Sequence, residues 1–272
     1  MDVRQQLTQW IKQNLTFLRK EDFHASPIND VTAIAYHYRG TPEELDETFW
    51  TTEHAFLQTF KTQGVLPSVL VTNWSTPYIV SFCKRFSIDL QIEKSLVPGV
   101  NHVRTLCIDL VSRLHSRFDT PYVLSIQWDG FPMRPGLEEF IGKYDYIGAP
   151  WVKHVMWYDL YPRKYSVGNG GFSLRSRRLC EIASTVYNKW FSRMPYWWYL
   201  IGDDTFYCKT LRFWFRSAVK ELLWPTPEEA ARFSIECDAG IPLKELPLGF
   251  HACGFSQYSK YLDGLYPSKS LR

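Results

Sequence analysis

Apolar runs of strand length alternate with longer helical patterns over residues 31–130, and this alternation constrains the fold more than any other feature of the sequence. The predicted strands are VTAIAYH (31–37), SVLVTNW (68–74), IDLQI (88–92) and PYVLSIQWDG (121–130). Helical patterns separate them at 43–63, from Pro77 onward and at 101–118. Such a β-α-β-α-β-α-β order predicts an α/β fold with a Rossmann-like, mostly parallel central sheet flanked by helices.

The rest of the chain extends this plan at both ends. YDYIGAP (144–150) predicts a further strand, and residues 176–189 predict a further helix. Residues 3–20 predict an amphipathic helix whose apolar face is formed by Val3, Leu7, Trp10, Ile11, Leu15 and Leu18. We expect this helix to dock on its own domain or on a partner subunit, with weak membrane-surface contact as the alternative. The expected organisation is a helical extension at 1–28 followed by one domain at 29–272.

Composition narrows the class of protein. A formal net charge of +3 argues against general nucleic-acid binding. The six cysteines include no CxxC pair, which indicates buried thiols in a reducing compartment. The sequence shows neither a signal-peptide core nor an apolar run of about 20 residues, so we expect a cytoplasmic protein. Eleven Trp, sixteen Tyr and eighteen Phe fit either a heavily packed core or a site that stacks rings on sugars or bases.

Polar residues at the predicted strand ends are candidate ligand contacts, because ligands bind beyond the carboxyl ends of strands in such sheets. His37 ends the first strand, and Trp128 and Asp129 end the fourth. An acid on that turn is placed to hold Mn²⁺ or Mg²⁺ between two phosphates, since these ions prefer oxygen ligands. An Asp followed by Gly is also a common turn former, so both interpretations stay open.

Two adjacent acids, Asp203 and Asp204, precede an apolar helical segment. They are either simple N-terminal helix residues or a general base with a supporting neighbour. The aromatic run before them includes Trp197 and Trp198, which could form a stacking wall for a sugar. His251 near the C-terminus is either a structural histidine or a ligand for Mn²⁺.

The run Gly168-Asn169-Gly170-Gly171 is the most unusual local feature. It predicts either a turn with positive φ angles or a backbone surface that substrate approaches closely, with Asn169, Gly170 and Gly171 as the contacts. The sequence contains no GxGxxG, Walker loop, GxSxG or HExxH motif. These absences weigh against hydride transfer, P-loop hydrolysis, serine hydrolysis and zinc proteolysis.

Six segments occur in one order: QWDGF (127–131), YDYIGAPW (144–151), GNGGFSLRS (168–176), GDDTFYC (202–208), FSIE (233–236) and PLGFH (247–251). Together they resemble a glycosyltransferase-like family of unknown function, over roughly residues 120–255. The layout is also similar to inverting GT-A glycosyltransferases. Gln127 stands where a full DxD motif has its first acid, and Gly202-Asp203-Asp204-Thr205 stands where the family has Pro-Glu-Asp-Val.

The resemblance implies a GT-A-like domain that transfers a sugar from a nucleotide-sugar donor to a glycan or other hydroxyl acceptor. It implies Asp129 as the metal acid, His251 as the second metal ligand and Asp204 as the base supported by Asp203. Gly170 and Gly171 would line the sugar site. Two alternatives are a catalytically degenerate carbohydrate- or nucleotide-binding module and a nucleotidyltransferase.

Overall fold

The central sheet has six strands in a mixed but mostly parallel arrangement. A computed structural model describes residues 3–14, 28–64, 66–96, 98, 102–151, 166–193, 202–236, 239–242 and 245–252. The sheet strands are β1 Val31–Tyr36, β2 Ser68–Thr72, β3 Asp89–Ile92, β4 Tyr122–Ser125, β6 Tyr146–Ile147 and β7 Ser173–Ser176, in the order β3-β2-β1-β4-β7-β6. β1 pairs in parallel with β2 and β4, β2 pairs in parallel with β3, and β7 runs antiparallel to both of its neighbours. The predicted α/β fold is confirmed.

Helices cover this sheet on both faces. Their bounds are α1 Val3–Asn14, α2 Pro42–Gln63, α3 Pro77–Phe86, α4 His102–Ser112, α5 Arg177–Val186, α6 Asp203–Thr205, α7 Arg212–Trp214 and α8 Pro227–Phe233. Three of them, α2, α3 and α8, begin at a threonine cap followed by proline. The amide of Glu44 donates to Thr41 Oγ1 before α2, and the amide of Ile79 donates to Thr76 Oγ1 before α3. The first amide of a helix has no partner within the helix, so proline, which lacks an amide hydrogen, is tolerated there. The Thr-Pro pairs therefore predict these helix starts from the sequence.

Alternate residues of the parallel strands pack into two cores. Ala33 and Ala35 of β1 belong to the larger core, whereas Ile34 between them belongs to the smaller one on the other face. This alternation follows from the two-residue period of a strand that is buried on both sides. Within the described part of the chain, no helix combines the length and apolarity needed to cross a bilayer.

The N-terminal helix α1 uses its apolar face within the chain. Leu7, Trp10 and Ile11 are buried in the larger core. The Trp10 ring packs nearly perpendicular to the His54 ring of α2, with 5.6 Å between the ring centres. This contact agrees with the expectation that the helix docks on its own domain. The boundary at residues 28 and 29 stays a prediction.

A second, three-stranded sheet was absent from the sequence prediction. It contains β5 Gly130–Pro132, β8 Ser234–Ile235 and β9 Gly249–His251 in the order β5-β9-β8. The predicted fourth strand is interrupted after β4 by a tight turn, in which the amide of Gln127 donates to the Gly130 carbonyl at 2.8 Å. Gly130 then pairs with His251. This pairing brings the turn after β4 beside a segment about 120 residues further along the chain.

Strand β7 corrects the interpretation of the segment after the glycine run. The sequence predicted a helix over 176–189 and no strand before it, but residues 173–176 form a strand between β4 and β6. The helix α5 begins one residue later, where the amide of Leu179 donates to the Ser176 side chain. The predicted strand at 144–150 is shorter than expected, because only Tyr146–Ile147 pairs with β7 as a regular strand.

Candidate active site

The turn after β4 and strand β9 bring Asp129 and His251 together. His251 Nε2 lies 3.6 Å from Asp129 Oδ1 and 3.2 Å from Gln127 Oε1. Asp129 is 4% exposed, and its Oδ1 atom is buried without a hydrogen-bond partner. A buried carboxylate oxygen without a donor is costly unless something else binds it. The two residues predicted as metal ligands are therefore neighbours, with one oxygen still available.

Glu236 approaches the other nitrogen of the same imidazole. Its Oε1 atom lies 3.4 Å from His251 Nδ1, within ion-pair distance but without the geometry of a hydrogen bond. Burial lowers the pKa of His251, but Glu236 and Asp129 raise it by more, so the net shift of the pKa is upward. A carboxylate on Nδ1 orients the ring and strengthens Nε2 as a ligand. The sequence pattern FSIE marked this residue without giving it a role.

Asn169 connects the glycine run to the acidic pair. Its backbone adopts a positive φ of 64°, which Asn tolerates better than most residues. Its side-chain Oδ1 accepts from the amide of Gly171 at 3.1 Å, and its own amide donates to Asp204 Oδ2 at 3.2 Å. Its carbonyl accepts from the Tyr146 hydroxyl at 3.0 Å. These bonds hold the loop before β7 against the start of α6.

The two glycines after Asn169 are required by the close approach of protein side chains. A Cβ atom on Gly171 would lie 2.1 Å from His251 Nε2, and one on Gly170 would lie 2.5 Å from Asp203 Oδ2. Both distances are too short for a side chain, so glycine is needed at each position. The sequence left a turn and a substrate-facing backbone as alternatives. The structure adds a third explanation for these glycines, which is the close packing of the Asp203 and His251 side chains. The predicted substrate contacts at Gly170 and Gly171 stay predictions.

Asp203 and Asp204 lie in different environments although they are adjacent. Asp203 Oδ2 pairs with Arg175 Nη2 at 2.6 Å. Arg175 is fully buried and lies over the Tyr207 ring at 4.7 Å. Among the described residues, no cation forms an ion pair with Asp204. Arg175 was missed at the sequence level, where the only signal was a charged residue within the apolar run FSLR.

The carboxyl group of Asp204 is poised to titrate near neutral pH. Burial raises its pKa to about 6, with a further upward contribution from the negative charge of Asp203. The amide of Thr205 donates to Asp204 Oδ1 at 2.7 Å and lowers the pKa in part. A carboxylate with a pKa in this range is ionised at pH 7 and still basic enough to accept a proton.

The other two described residues that were predicted to contact substrate, His37 and Trp128, pack against the core. His37 is 3% exposed, and its ring contacts the Leu45 carbonyl and the Thr52 hydroxyl of α2. Burial lowers its pKa to about 3, as in a neutral core histidine. Trp128 is partly buried against the larger core. Trp197 and Trp198 lie outside the described residues, and substrate contact by all four side chains stays a prediction.

The donor set at Asp129 fits a divalent ion that also takes ligands from substrate. Among the described residues, no three His, Cys, Asp or Glu side chains are grouped so that they could hold a metal. Asp129 Oδ1 and His251 Nε2 nevertheless face each other, and the oxygen has no competing donor. Mg²⁺ commonly binds through one or two protein ligands and completes its shell with phosphate oxygens and water.

Solved glycosyltransferase structures align with the chain at low sequence identity. The apo-form glycosyltransferase GlyE of Streptococcus pneumoniae TIGR4 aligns over 89% of this chain and 66% of its own, at 12% identity and a TM-score of 0.48. A glycosyltransferase involved in the glycosylation of the major capsid of PBCV-1 aligns over 86% of this chain and 98% of its own, at 12% identity and a TM-score of 0.42.

The mannosyltransferase PcManGT from Pyrobaculum calidifontis, in complex with GDP-Man and Mn²⁺, aligns over 64% of this chain at 12% identity and a TM-score of 0.32. The chain spans 53% of that mannosyltransferase and 66% of GlyE. All three TM-scores lie below 0.5, so the case for a function rests on this chain's own residues.

No curated protein matches the chain in sequence. One family profile does match, over residues 88–251, which is more than half of the chain. All six segments from QWDGF to PLGFH fall within that span. The chain belongs to the family described as "Protein of unknown function (DUF5672)".

Proposed function

We propose that this protein transfers a sugar from a nucleotide-sugar donor to an acceptor hydroxyl, with inversion at the anomeric carbon and with the help of a divalent cation. One observation carries the proposal. Asp204 has no cationic partner among the described residues and a pKa raised to about 6, and the loop that binds it also packs on His251. The loop that contains Asn169 and Gly171 thereby connects the candidate general base with the candidate metal site at Asp129 and His251.

Asp204 is the proposed general base. It takes the proton of the acceptor hydroxyl while that oxygen attacks the anomeric carbon from the face opposite the leaving group. The bond between the anomeric carbon and the donor phosphate oxygen breaks, and its electron pair leaves with the nucleoside diphosphate. Asp203 does not take this proton, because its charge is engaged by Arg175 at 2.6 Å. A positioned base of this kind contributes about 10²–10⁴-fold in rate.

The other end of the site would receive the diphosphate. Asp129 and His251 are the residues that would hold Mn²⁺ or Mg²⁺, and Glu236 keeps the imidazole ring oriented through Nδ1. A bound cation there supplies stabilisation of the negative charge on the leaving diphosphate. Gln127 Oε1 lies 3.2 Å from His251 Nε2, the atom that would bind the ion, so this contact would be given up when the ion binds.

A donor screen with one variant and one control tests the proposal. Wild-type protein is incubated with UDP-, GDP-, CMP- and dTDP-sugars, with and without Mn²⁺. Thermal stabilisation is measured, together with release of the free nucleotide, which is CMP for the CMP-sugar and a nucleoside diphosphate for the others. We expect one donor class to raise the melting temperature and to be turned over slowly. Asp204→Asn should keep donor binding and lose about 10²–10⁴-fold in turnover, whereas the exposed acid Asp119→Asn should not differ from wild type.

Three outcomes contradict the proposal. Donor binding without turnover under any condition would indicate a carbohydrate- or nucleotide-binding module. Release of pyrophosphate from a nucleoside triphosphate and a sugar phosphate would indicate a nucleotidyltransferase. Turnover of Asp204→Asn at the wild-type rate would remove Asp204 from the reaction.

A further inference from the structure

Two tryptophans are exposed on a surface that carries positive charge. Trp190 is 52% exposed and Trp214 is 70% exposed. Lys189 Nζ lies 5.4 Å from the Trp190 ring centre, and the Arg216 guanidinium lies 5.1 Å from that of Phe213 beside Trp214. We call Lys189, Trp190, Trp214 and Arg216 the aromatic–cationic surface.

Ring contacts join the two chain segments of this surface. The Trp190 ring lies 6.3 Å from the Phe215 ring, and the Phe213 ring lies 5.2 Å from the Trp214 ring. The Trp190–Phe215 contact therefore places the segment that carries Trp190 beside the segment that carries Trp214, and each segment exposes one tryptophan. Exposed aromatic groups that cluster in this way mark an interaction site more often than isolated ones do.

The charge of the two segments has one sign. Residues 187–193 (YNKWFSR) and 212–220 (RFWFRSAVK) contain five basic residues and no acid. Of the basic residues, Lys189, Arg193, Arg216 and Lys220 are exposed. The nearest acid along the chain, Glu221, pairs with Arg178 at 2.9 Å and lies 4.0 Å from Lys220. The charge of these two segments therefore favours a negatively charged partner.

We propose that the aromatic–cationic surface docks the protein onto a bilayer that contains anionic lipid. Indole rings prefer the boundary between hydrocarbon and headgroups, and lysine and arginine interact favourably with anionic headgroups there. A second copy of the chain is a poorer partner, because a two-fold contact would place the same cations against each other. The inference does not depend on the proposed sugar transfer.

Vesicle sedimentation tests the docking. The full-length protein is mixed with vesicles of phosphatidylcholine alone or of phosphatidylcholine with phosphatidylglycerol. We expect binding to the anionic vesicles only, weakening as salt is added. Each cation near an anionic surface contributes about 1 kcal/mol, so Lys189→Glu and Arg216→Glu should each weaken the partition at least about fivefold. A Trp190→Ser, Trp214→Ser double variant should also weaken it.

Matched controls separate this surface from general charge or hydrophobicity. Trp74, 40% exposed in the loop after β2, and Lys94, exposed after β3, lie on other elements. Trp74→Ser and Lys94→Glu should leave the partition at the wild-type value. Thermal unfolding of every variant checks that the fold is retained. We expect it to be, because all four substituted surface residues are exposed.

Several results would overturn the proposal. One is the absence of wild-type binding to anionic vesicles at low salt, and another is equal binding by wild type and the surface variants. A dimer seen by light scattering without vesicles, and abolished by the same variants, would assign the surface to a second copy. Binding of a single-stranded oligonucleotide that competes away the vesicles and depends on Trp190 and Trp214 would assign it to nucleic acid.

Discussion

Arg175 and Asp203 form a buried ion pair at the base of the candidate site, with 2.6 Å between Nη2 and Oδ2. The guanidinium is fully buried beside the rings of Tyr146 and Tyr207, and the carboxylate is 14% exposed. Because Arg175 engages Asp203, the two adjacent aspartates have different electrostatic partners. This difference supports the proposal that Asp204, and not Asp203, is the general base.

Removing the charge of Asp203 should destabilise the fold strongly. Asp203→Asn leaves the buried guanidinium of Arg175 without a counter-charge, and a broken buried pair of this kind costs about 3–5 kcal/mol. Unfolding in urea measures the loss. Arg178→Met serves as the matched control, because it breaks an exposed pair with Glu221, and such pairs are worth less than about 1 kcal/mol. Equal losses in the two variants would refute the buried-pair argument, and the double variant Arg175→Met, Asp203→Asn should recover part of the stability.

The raised pKa of Asp204 predicts a stability difference that depends on pH. The pKa is about 6 in the folded protein, above its value of 3.8 in the unfolded chain. The folded state therefore binds more protons between these values, so this group makes the protein less stable as the pH rises from about 4 to about 6. Asp204→Asn lacks the effect. Relative to wild type, the variant should gain about 1–3 kcal/mol in the free energy of unfolding between pH 4 and pH 7.

Urea unfolding of both proteins at several pH values checks this prediction. A difference between wild type and Asp204→Asn that stays constant with pH would show that the pKa is not raised. The same ionisation should appear in catalysis, since a general base acts only when it is deprotonated. If the proposed transfer occurs, its rate should rise with pH around 6.

The parallel part of the fold could be predicted from the sequence because its signals are local. Strands β1 to β4 and their intervening helices follow apolar periodicity, and Thr-Pro starts mark α2 and α3. Strand β7 was missed because SLRS follows a glycine run and precedes a helix with which it shares basic residues. Its strand character comes from pairing with β4 and β6, and no local pattern encodes such pairing.

The sequence singled out some residues of the candidate site but did not predict the contacts between them. Asp129, Asp204 and His251 were identified from residue type and order. The proximity of Asp129 and His251 depends on the three-residue pairing of β5 with β9, which is too short and too distant in sequence to predict. The partner of Arg175 was likewise invisible, because a buried charge finds its counter-charge only through the tertiary fold.

Gly171 and His251 should be coupled through space. A Cβ atom at Gly171 overlaps His251 Nε2 at 2.1 Å, so Gly171→Ala should displace the imidazole and cost about 1–3 kcal/mol. Removing the ring creates the missing space, so Gly171→Ala should cost much less when His251 is already alanine. A double-mutant cycle by urea unfolding measures this, with an expected coupling of at least about 1 kcal/mol. Additive effects would restore the view of Gly171 as an ordinary turn residue or a substrate contact.

Divalent-ion binding should depend on Asp129 and, through His251, on Glu236. The protein is titrated with Mn²⁺ in the presence of UDP or GDP, and free Mn²⁺ is followed by electron paramagnetic resonance. Asp129→Asn removes the charge from the unpartnered buried oxygen. It should weaken Mn²⁺ binding at least as much as loss of a residue that only orients a ligand. Loss of a residue that orients a metal ligand typically weakens metal binding about 10–100-fold. We expect a loss of about this size for Glu236→Gln, because Glu236 lies beside Nδ1 of the His251 ring.

Glu138→Gln is the control for that titration, since Glu138 is an exposed acid on another segment. It should bind Mn²⁺ as wild type does. Because the measurement reports bound ion directly, it separates a failed metal site from a failed transferase. Sugar transfer that survives removal of divalent ions by EDTA, together with equal Mn²⁺ affinity in all variants, would mean that the buried Asp129–His251 contact is structural. Loss of both binding and transfer only in Asp129→Asn and Glu236→Gln would tie the cation to the diphosphate end of the site.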